Sequence, residues 1–265
     1  MTKLILVKLG GSVLSDTRKE NTPKLRQINR LVKEIKQGSK GAMVVVGHGS
    51  GSFAHIPAHR YGLQKGLHNK MSRKGASITQ EVAARLHTLV LRSMIKNGLD
   101  ALSFRPAAGG MTSNGKLVQW NIEPLKRALE SGFVPVTMGD VVIDTKKGIA
   151  VIPTEEALEY LAARLKPYKV IIGGDIDGVF TSNPMLHKDA KLIRNITRRN
   201  IRKAAAGAGA SLKIDVTGGM SSKLSYLYNI SKRYHTRCQI VNATVPGRLR
   251  DAMLGKNVIG TSIKA

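Results

Sequence analysis

The sequence contains a single cysteine, Cys238, so no disulfide can form within the chain, and a cysteine-rich zinc site is not expected. Hydrophobic runs are short, and none approaches the roughly 20 apolar residues that a membrane-spanning helix needs. The N-terminus enters a strand pattern directly and has no signal-peptide profile. From these absences we expect a cytoplasmic protein that does not bind membranes.

Acidic and aromatic residues are also scarce. Lys and Arg number 43 against 17 Asp and Glu, which gives a formal net charge of +26 and a field that favours anionic ligands. The basic residues are nevertheless scattered from Lys3 to Lys264, and an aromatic content of 4% offers little surface for stacking bases. We therefore do not expect a nucleic-acid partner, and a catalytically weak, basic nucleotide- or RNA-binding protein is kept as an alternative.

Apolar strand-like runs alternate with helical patterns along the chain. Leu4–Leu9 precedes a helical pattern over 23–37, and Ala42–Val46 precedes another over 77–97. This βα alternation predicts an α/β fold with a mostly parallel central sheet covered by helices. The length of 265 residues and the hydrophobic content of 42% are sufficient for one large domain of this kind.

Turn signals interrupt this pattern in the first half. Asn114-Gly115 and the segment 145–148 each separate two short apolar runs and predict a small antiparallel excursion. Near the middle, a helical pattern ends before Pro167 and a new strand follows. We therefore divide the single predicted domain, residues 1–265, into a first lobe over 1–166 and a second over 167–265.

Two glycine-rich turns follow predicted strands. The first is Lys8-Leu9-Gly10-Gly11-Ser12, and the second runs from His48 to His55 with the sequence HGSGSFAH. Glycines after a strand let backbone N–H groups point into one concavity, and such a concavity before a helix binds anions. Two cradles of this kind predict two phosphorylated ligands.

Two further turns lie in the second half, at 173–184 and at 215–223. Taken in order with the two glycine turns and Gly139-Asp140, they resemble the amino-acid kinase superfamily over nearly the whole chain. Within that superfamily the chain resembles the isopentenyl phosphate kinase family. The discriminating element is the second glycine turn, which is similar to that family's His-Gly-Gly-Gly-Ser-Phe-Gly-His pattern and ends at His55.

The resemblance implies a three-layer αβα sandwich that forms a homodimer. It implies that the first lobe binds a small phosphate acceptor and that the second binds ATP with Mg²⁺. The implied reaction converts isopentenyl phosphate to isopentenyl diphosphate in isoprenoid biosynthesis, as part of the mevalonate pathway. A kinase for another phosphate or a phosphonate, such as fosfomycin, is the alternative within the same class.

The resemblance also implies roles for individual residues, and it assigns no side chain as a metal ligand. The catalytic residues would be Lys8, His55, Lys223 and Glu155. The ATP-binding residues would be Lys8, Gly10, Gly11, Ser12, Gly51, Asp175, Phe180, Gly219 and Lys223, with N–H groups of the glycine turns on the ATP phosphates. The acceptor-binding residues would be Ser50, His55 and Gly139.

These residue types suit phosphoryl transfer between two anions. A phosphate monoester, with a second pKa of about 6, is already a charged nucleophile near neutrality, so no general base is required. Catalysis then needs alignment and positive charge, which two lysines, backbone amides and a metal ion supply.

The chain departs from the family pattern at a few positions. Ser50 and Ala54 replace glycines, and a positive φ at either would cost about 1 kcal/mol. Arg18, beside Thr17, stands near the place of a family lysine. Glu155 replaces an aspartate that orients the catalytic lysines, and its extra methylene is expected to affect rate or acceptor choice.

Overall fold

The computed structural model describes residues 2–208 and 219–265. The strands within these ranges are β1 (Lys3–Leu9), β2 (Ala42–His48), β3 (Ala101–Ser103), β4 (Gly110–Ser113), β5 (Lys116–Trp120), β6 (Val134–Met138), β7 (Asp140–Asp144), β8 (Gly148–Ile152), β9 (Lys169–Gly174), β10 (Asn195–Ile196), β11 (Arg237–Asn242) and β12 (Gly260–Ile263). The helices are α1 (Gly11–Leu14), α2 (Leu25–Gly38), α3 (His55–Arg60), α4 (Lys70–Lys96), α5 (Glu123–Glu130), α6 (Thr154–Leu165), α7 (Ile201–Ala208), α8 (Gly219–Tyr234) and α9 (Arg248–Met253).

Eight strands form the central sheet in the order β10-β12-β11-β9-β1-β2-β6-β3. Neighbouring strands are parallel except for β11 and β12, so the prediction of a mostly parallel sheet is confirmed. The strands of residues 1–166 occupy one half of this sheet and those of 167–265 the other, and the halves meet where β1 pairs with β9. The carboxyl ends of β1, β2, β6 and β9 therefore come together.

Helices cover both faces of the sheet, as the strand pattern predicts. Along β1, Leu4 and Leu6 pack into a core that α5, α6 and α8 complete. Ile5 and Val7 point the other way, into a second core built with α2, α4 and α9. Alternate residues of a strand face opposite sides, and both sides here are apolar because both are covered. The result is the predicted three-layer αβα sandwich.

The predicted hairpins form a small second sheet with the order β5-β4-β7-β8. Asp144 holds its turns, because its carboxylate accepts from the amides of Asn114, Gly115, Lys146 and Lys147. Those donors keep the pKa of Asp144 below its ordinary value even though desolvation opposes this. Gly139 separates β6 of the large sheet from β7 of the small one.

The bounds of α4 and β2 differ from the prediction. Helix α4 begins at Lys70 instead of residue 77, because Asn69 caps it: the Asn69 side chain accepts from the Ser72 amide, and the Ser72 side chain accepts from the Asn69 amide. Strand β2 continues through His48, so the second glycine turn starts later. In the described ranges, no helix has the length and apolar character needed to span a bilayer.

Candidate active site

A cavity of about 500 Å³ opens where β1, β2, β6 and β9 end. Every residue to which the sequence assigned a catalytic or binding role lies on its wall: Lys8, Gly10, Gly11, Ser12, Ser50, Gly51, His55, Gly139, Glu155, Asp175, Phe180, Gly219 and Lys223. The earlier part of the last turn, residues 215–218, lies outside the described residues. The fold thus brings the separate turns of the sequence to one place.

The two glycine turns pack directly against each other. A Cβ on Gly11 would lie 2.3 Å from the Gly51 nitrogen, and one on Gly49 would lie 2.7 Å from the Gly11 nitrogen. Gly51 has a φ of +50°, and a Cβ there would lie 2.0 Å from the Ser15 hydroxyl. Glycine is required at these positions because backbone occupies the space of a side chain.

Backbone amides of both turns are available to an anion. The N–H groups of Gly11, Ser12, Ser50 and Gly51 have no acceptor within the described part of the chain. Gly10 differs, because its amide donates to the Gly173 carbonyl at 2.8 Å. The expectation that Gly10 offers its N–H to ATP was therefore wrong, although Gly10 does line the cavity.

The substitutions Ser50 and Ala54 do not strain the second turn. Ser50 has a φ of −92° and Ala54 a φ of −107°, both on the side that any residue adopts. The positive φ that would have penalised these side chains therefore occurs at neither position.

A buried ion pair lies at the cavity wall between Lys8 and Glu155. The Lys8 Nζ donates to Glu155 Oε1 at 2.5 Å, and the two side chains are only 6% and 5% exposed. Desolvation opposes ionisation of Glu155, but the charges of Lys8 and Lys223 outweigh it and hold the Glu155 pKa below its ordinary value. The carboxylate is thus ionised and keeps the Lys8 ammonium at the end of β1.

Thr154, the first residue of α6, has a role that the sequence did not indicate. Its hydroxyl donates to the His48 carbonyl at 2.8 Å and accepts from the Gly139 amide at 2.9 Å. It therefore ties the ends of β2 and β6 to the helix that carries Glu155. The N-cap residue of α6 is Pro153, so Thr154 does not act as the helix cap.

Two further buried groups at the site were also missed. Asp140 accepts from Arg105 through two hydrogen bonds, at 2.9 and 3.0 Å. Burial raises the Asp140 pKa and outweighs the opposing effect of Arg105. His48, at the end of β2, contacts His87 of α4 with 2.7 Å between His48 Nε2 and His87 Nδ1. No short sequence pattern links either pair, because their members come from different elements.

Two residues near the cavity, Asp177 and Arg18, do not line it. Asp177 accepts from Asn242 at 3.1 Å and pairs with Arg248 of the second lobe, while Asp175 lines the cavity. The Arg18 side chain is 86% exposed and pairs with Asp16 at 3.4 Å, while Thr17 lines the cavity.

The two glycine turns, Lys8, Lys223 and His55 thus meet around one cavity. A profile of the amino acid kinase family matches residues 3–242. The chain belongs to the amino acid kinase family. Its fold and the resemblance read from the four turns are thereby confirmed.

Several relatives that are similar over nearly the whole chain are isopentenyl phosphate kinases. The isopentenyl phosphate kinase of Methanothermobacter thermautotrophicus is 35% identical over 269 residues, covering 98% of each chain. That of Thermoplasma acidophilum is 30% identical over 266 residues, covering 98% of this chain and 100% of the relative. A crystal structure of an isopentenyl phosphate kinase superposes with a TM-score of 0.85 and 31% identity, over 98% of this chain and 100% of the other.

Proposed function

We propose that this protein transfers the terminal phosphoryl group of ATP to isopentenyl phosphate and so forms isopentenyl diphosphate for isoprenoid biosynthesis. The observation that carries the proposal is the cavity that joins both glycine turns, the Lys8–Glu155 pair, Lys223 and His55. Relatives similar over nearly the whole chain are isopentenyl phosphate kinases, which indicates the acceptor.

In the proposed mechanism the first lobe holds the acceptor and the second holds the nucleotide. His55 and the Ser50 amide bind the acceptor phosphate, and the amides of Gly11, Ser12 and Gly51 bind the phosphates of ATP. Lys8 and Lys223 neutralise the charge that builds on the transferring group, and Glu155 holds Lys8 in place. The acceptor oxygen is already ionised, so these residues align it and do not need to deprotonate it.

Mg²⁺ is the metal we propose for this reaction, since it would neutralise charge on the nucleotide phosphates. The described residues contain no group of three His, Cys, Asp or Glu side chains arranged to hold a metal ion. Mg²⁺ commonly binds through phosphate oxygens, water and only one or two carboxylates. Asp175 is a carboxylate on the nucleotide side of the cavity, so the donor set fits an ion held mainly by ATP.

The direct test is incubation of the purified protein with MgATP and isopentenyl phosphate, with ³¹P NMR detection of the diphosphate. We expect isopentenyl diphosphate and ADP in equal amounts, and no diphosphate at saturating substrate would contradict the proposal. A parallel series with other alkyl phosphates and with fosfomycin separates the two kinase alternatives. Light scattering of the same sample tests the homodimer that we also propose.

His55→Ala tests the division of the site. We expect it to reduce phosphoryl transfer by about a hundredfold or more while leaving ATP affinity nearly unchanged, because His55 is assigned to the acceptor. The matched control is His59→Ala, since His59 lies in the same helix but is exposed and outside the cavity lining. Equal loss of ATP binding and transfer in His55→Ala would contradict the assignment.

A further inference from the structure

Behind the second glycine turn lies a chain of hydrogen bonds through two buried histidine rings, and the proposed mechanism does not use it. The Nδ1 atom of His48 lies 3.2 Å from the Gly49 carbonyl oxygen, and its Nε2 lies 2.7 Å from His87 Nδ1. The His87 Nε2 lies 2.8 Å from the Ser103 hydroxyl. Both rings are buried, so their nitrogen atoms depend on hydrogen-bond partners within the protein.

Only one arrangement of protons satisfies this chain with neutral rings. The Gly49 carbonyl can only accept, so His48 carries its proton on Nδ1 and donates it there. His48 Nε2 must then accept from His87 Nδ1–H, and His87 Nε2 accepts from Ser103. Burial lowers the pKa of His48 to about 4 and that of His87 to about 2, so both rings are neutral near pH 7.

The His48–Gly49 hydrogen bond determines where the next amide points. In a planar trans peptide the carbonyl and the following N–H point in opposite directions. When His48 draws the Gly49 carbonyl toward the buried rings, the Ser50 N–H faces away from them. Ser50 lines the cavity, and its N–H has no acceptor among the described residues.

A glycine peptide needs such a constraint, because glycine alone allows many backbone orientations. The other side of Gly49 is also held, since its amide donates to the Leu9 carbonyl at 2.9 Å. The His48 carbonyl in turn accepts from Thr154. With both flanking bonds made, the orientation of the Gly49–Ser50 peptide is set before a ligand arrives, which is how a preorganised donor contributes most.

We propose that His48, held in its Nδ1–H form by His87, is a positioning residue that aims the Ser50 amide at the phosphate of the acceptor. The identity of that acceptor rests on the proposed function, while the histidine arrangement does not. The pair would therefore act on acceptor binding and leave ATP binding largely unaffected.

Two substitutions of similar size separate this role from simple packing. In His48→Asn the side-chain amide takes the place of Nδ1 and can still donate to Gly49, whereas in His48→Gln the amide takes the place of Nε2 and cannot. We expect His48→Gln to raise the KM for isopentenyl phosphate on the order of tenfold, with the KM for ATP changed less than twofold. His48→Asn should stay within about threefold of wild type. Thr88→Ala, on the exposed side of α4, is the matched control.

The proton arrangement is tested independently by ¹⁵N NMR of histidine-labelled wild-type protein. We expect His48 and His87 both to be protonated on Nδ1 and neutral at pH 7. Protonation of His48 on Nε2, or equal losses in His48→Asn and His48→Gln, would overturn the proposal.

A titration with inorganic phosphate tests the positioning role of His48 separately from the proposed kinase activity. Weaker phosphate binding in His48→Gln than in His48→Asn supports the positioning role even if isopentenyl phosphate is not turned over. Equal phosphate affinity in the two variants would overturn that role even if the wild type is an active isopentenyl phosphate kinase.

Discussion

Two buried polar pairs lie on opposite faces of the central sheet, near the ends of neighbouring strands. Lys8 of β1 pairs with Glu155 of α6, and His48 of β2 pairs with His87 of α4. All four side chains are almost completely buried, yet the first pair is charged and the second is neutral.

The difference follows from the partner that each group meets. Burial disfavours every charge, but Glu155 has cationic neighbours that outweigh this cost. His48 meets a neutral ring and a carbonyl, and the nearby charges of Lys8 and Arg105 disfavour a further cation. The charged pair lies on the cavity wall, where the proposed phosphoryl transfer needs charge, and the neutral pair lies behind the second glycine turn.

The largest effect is expected from Lys8→Ala, which breaks the charged pair. Removing the ammonium from the reacting phosphates should lower kcat on the order of a thousandfold. It should also raise the pKa of Glu155, because Lys8 makes the larger of the two cationic contributions there. Steady-state rates measured across pH check both effects. Lys3→Ala, on the exposed start of the same strand, is the control, and a similar loss in it would contradict the role of Lys8.

As the pH is lowered, the protein should lose the stability contributed by His48 before it loses that contributed by Glu155. A histidine whose pKa is lower in the folded than in the unfolded protein contributes stability at any pH above its unfolded pKa. This contribution is lost as the pH falls toward the folded pKa. For His48 the window runs from about 6.5 to about 4, and the loss is on the order of 3 kcal/mol. Glu155, also with a lowered pKa, loses its contribution only below the ordinary carboxyl range.

Urea unfolding at pH 7, 5.5 and 4 measures this loss. The His48→Asn variant should lose less stability over the same range, because it lacks the titrating ring. Identical losses in the variant and the wild type would rule out His48 as the source.

Glu155→Gln isolates the charge of Glu155 from its shape. The amide keeps the size of the side chain and can still accept from Lys8 but carries no charge, so we expect kcat to fall about a hundredfold while the fold is retained. Glu159→Gln, one turn along α6 and outside the cavity lining, should stay near wild-type activity. If Glu155→Gln kept full activity, the pair would be structural and Lys8 would be positioned by other groups.

The smallest effect is expected at the exposed pair of Arg18 and Asp16. Arg18→Ala should change kcat less than twofold, because an exposed pair contributes little and Arg18 does not line the cavity. Steady-state kinetics with the conservative Arg18→Lys variant alongside are sufficient. A loss greater than tenfold in the alanine variant, restored by lysine, would mean that Arg18 does replace the family lysine.

Much of the fold and the site could be predicted because it depends on local pattern. The alternation of apolar residues gave the strands and helices, and glycines directly after strands marked the cavity. The misses share a different cause. His87 and Arg105 meet their partners only through tertiary packing, and the Gly10 amide is used by Gly173 from a distant strand. The backbone angles of Ser50 and Ala54 depended on the same packing.

The close packing of the two glycine turns determines which of their positions can accept substitutions and which cannot. At Gly11, Gly49 and Gly51 even one methyl group would collide with main chain, so drift or directed evolution should find no accepted replacement there. Ser50 and Ala54 sit in the same loop with ordinary dihedral angles and already carry side chains. Libraries aimed at new acceptors should therefore diversify residues 50 and 54 and leave the three glycines untouched.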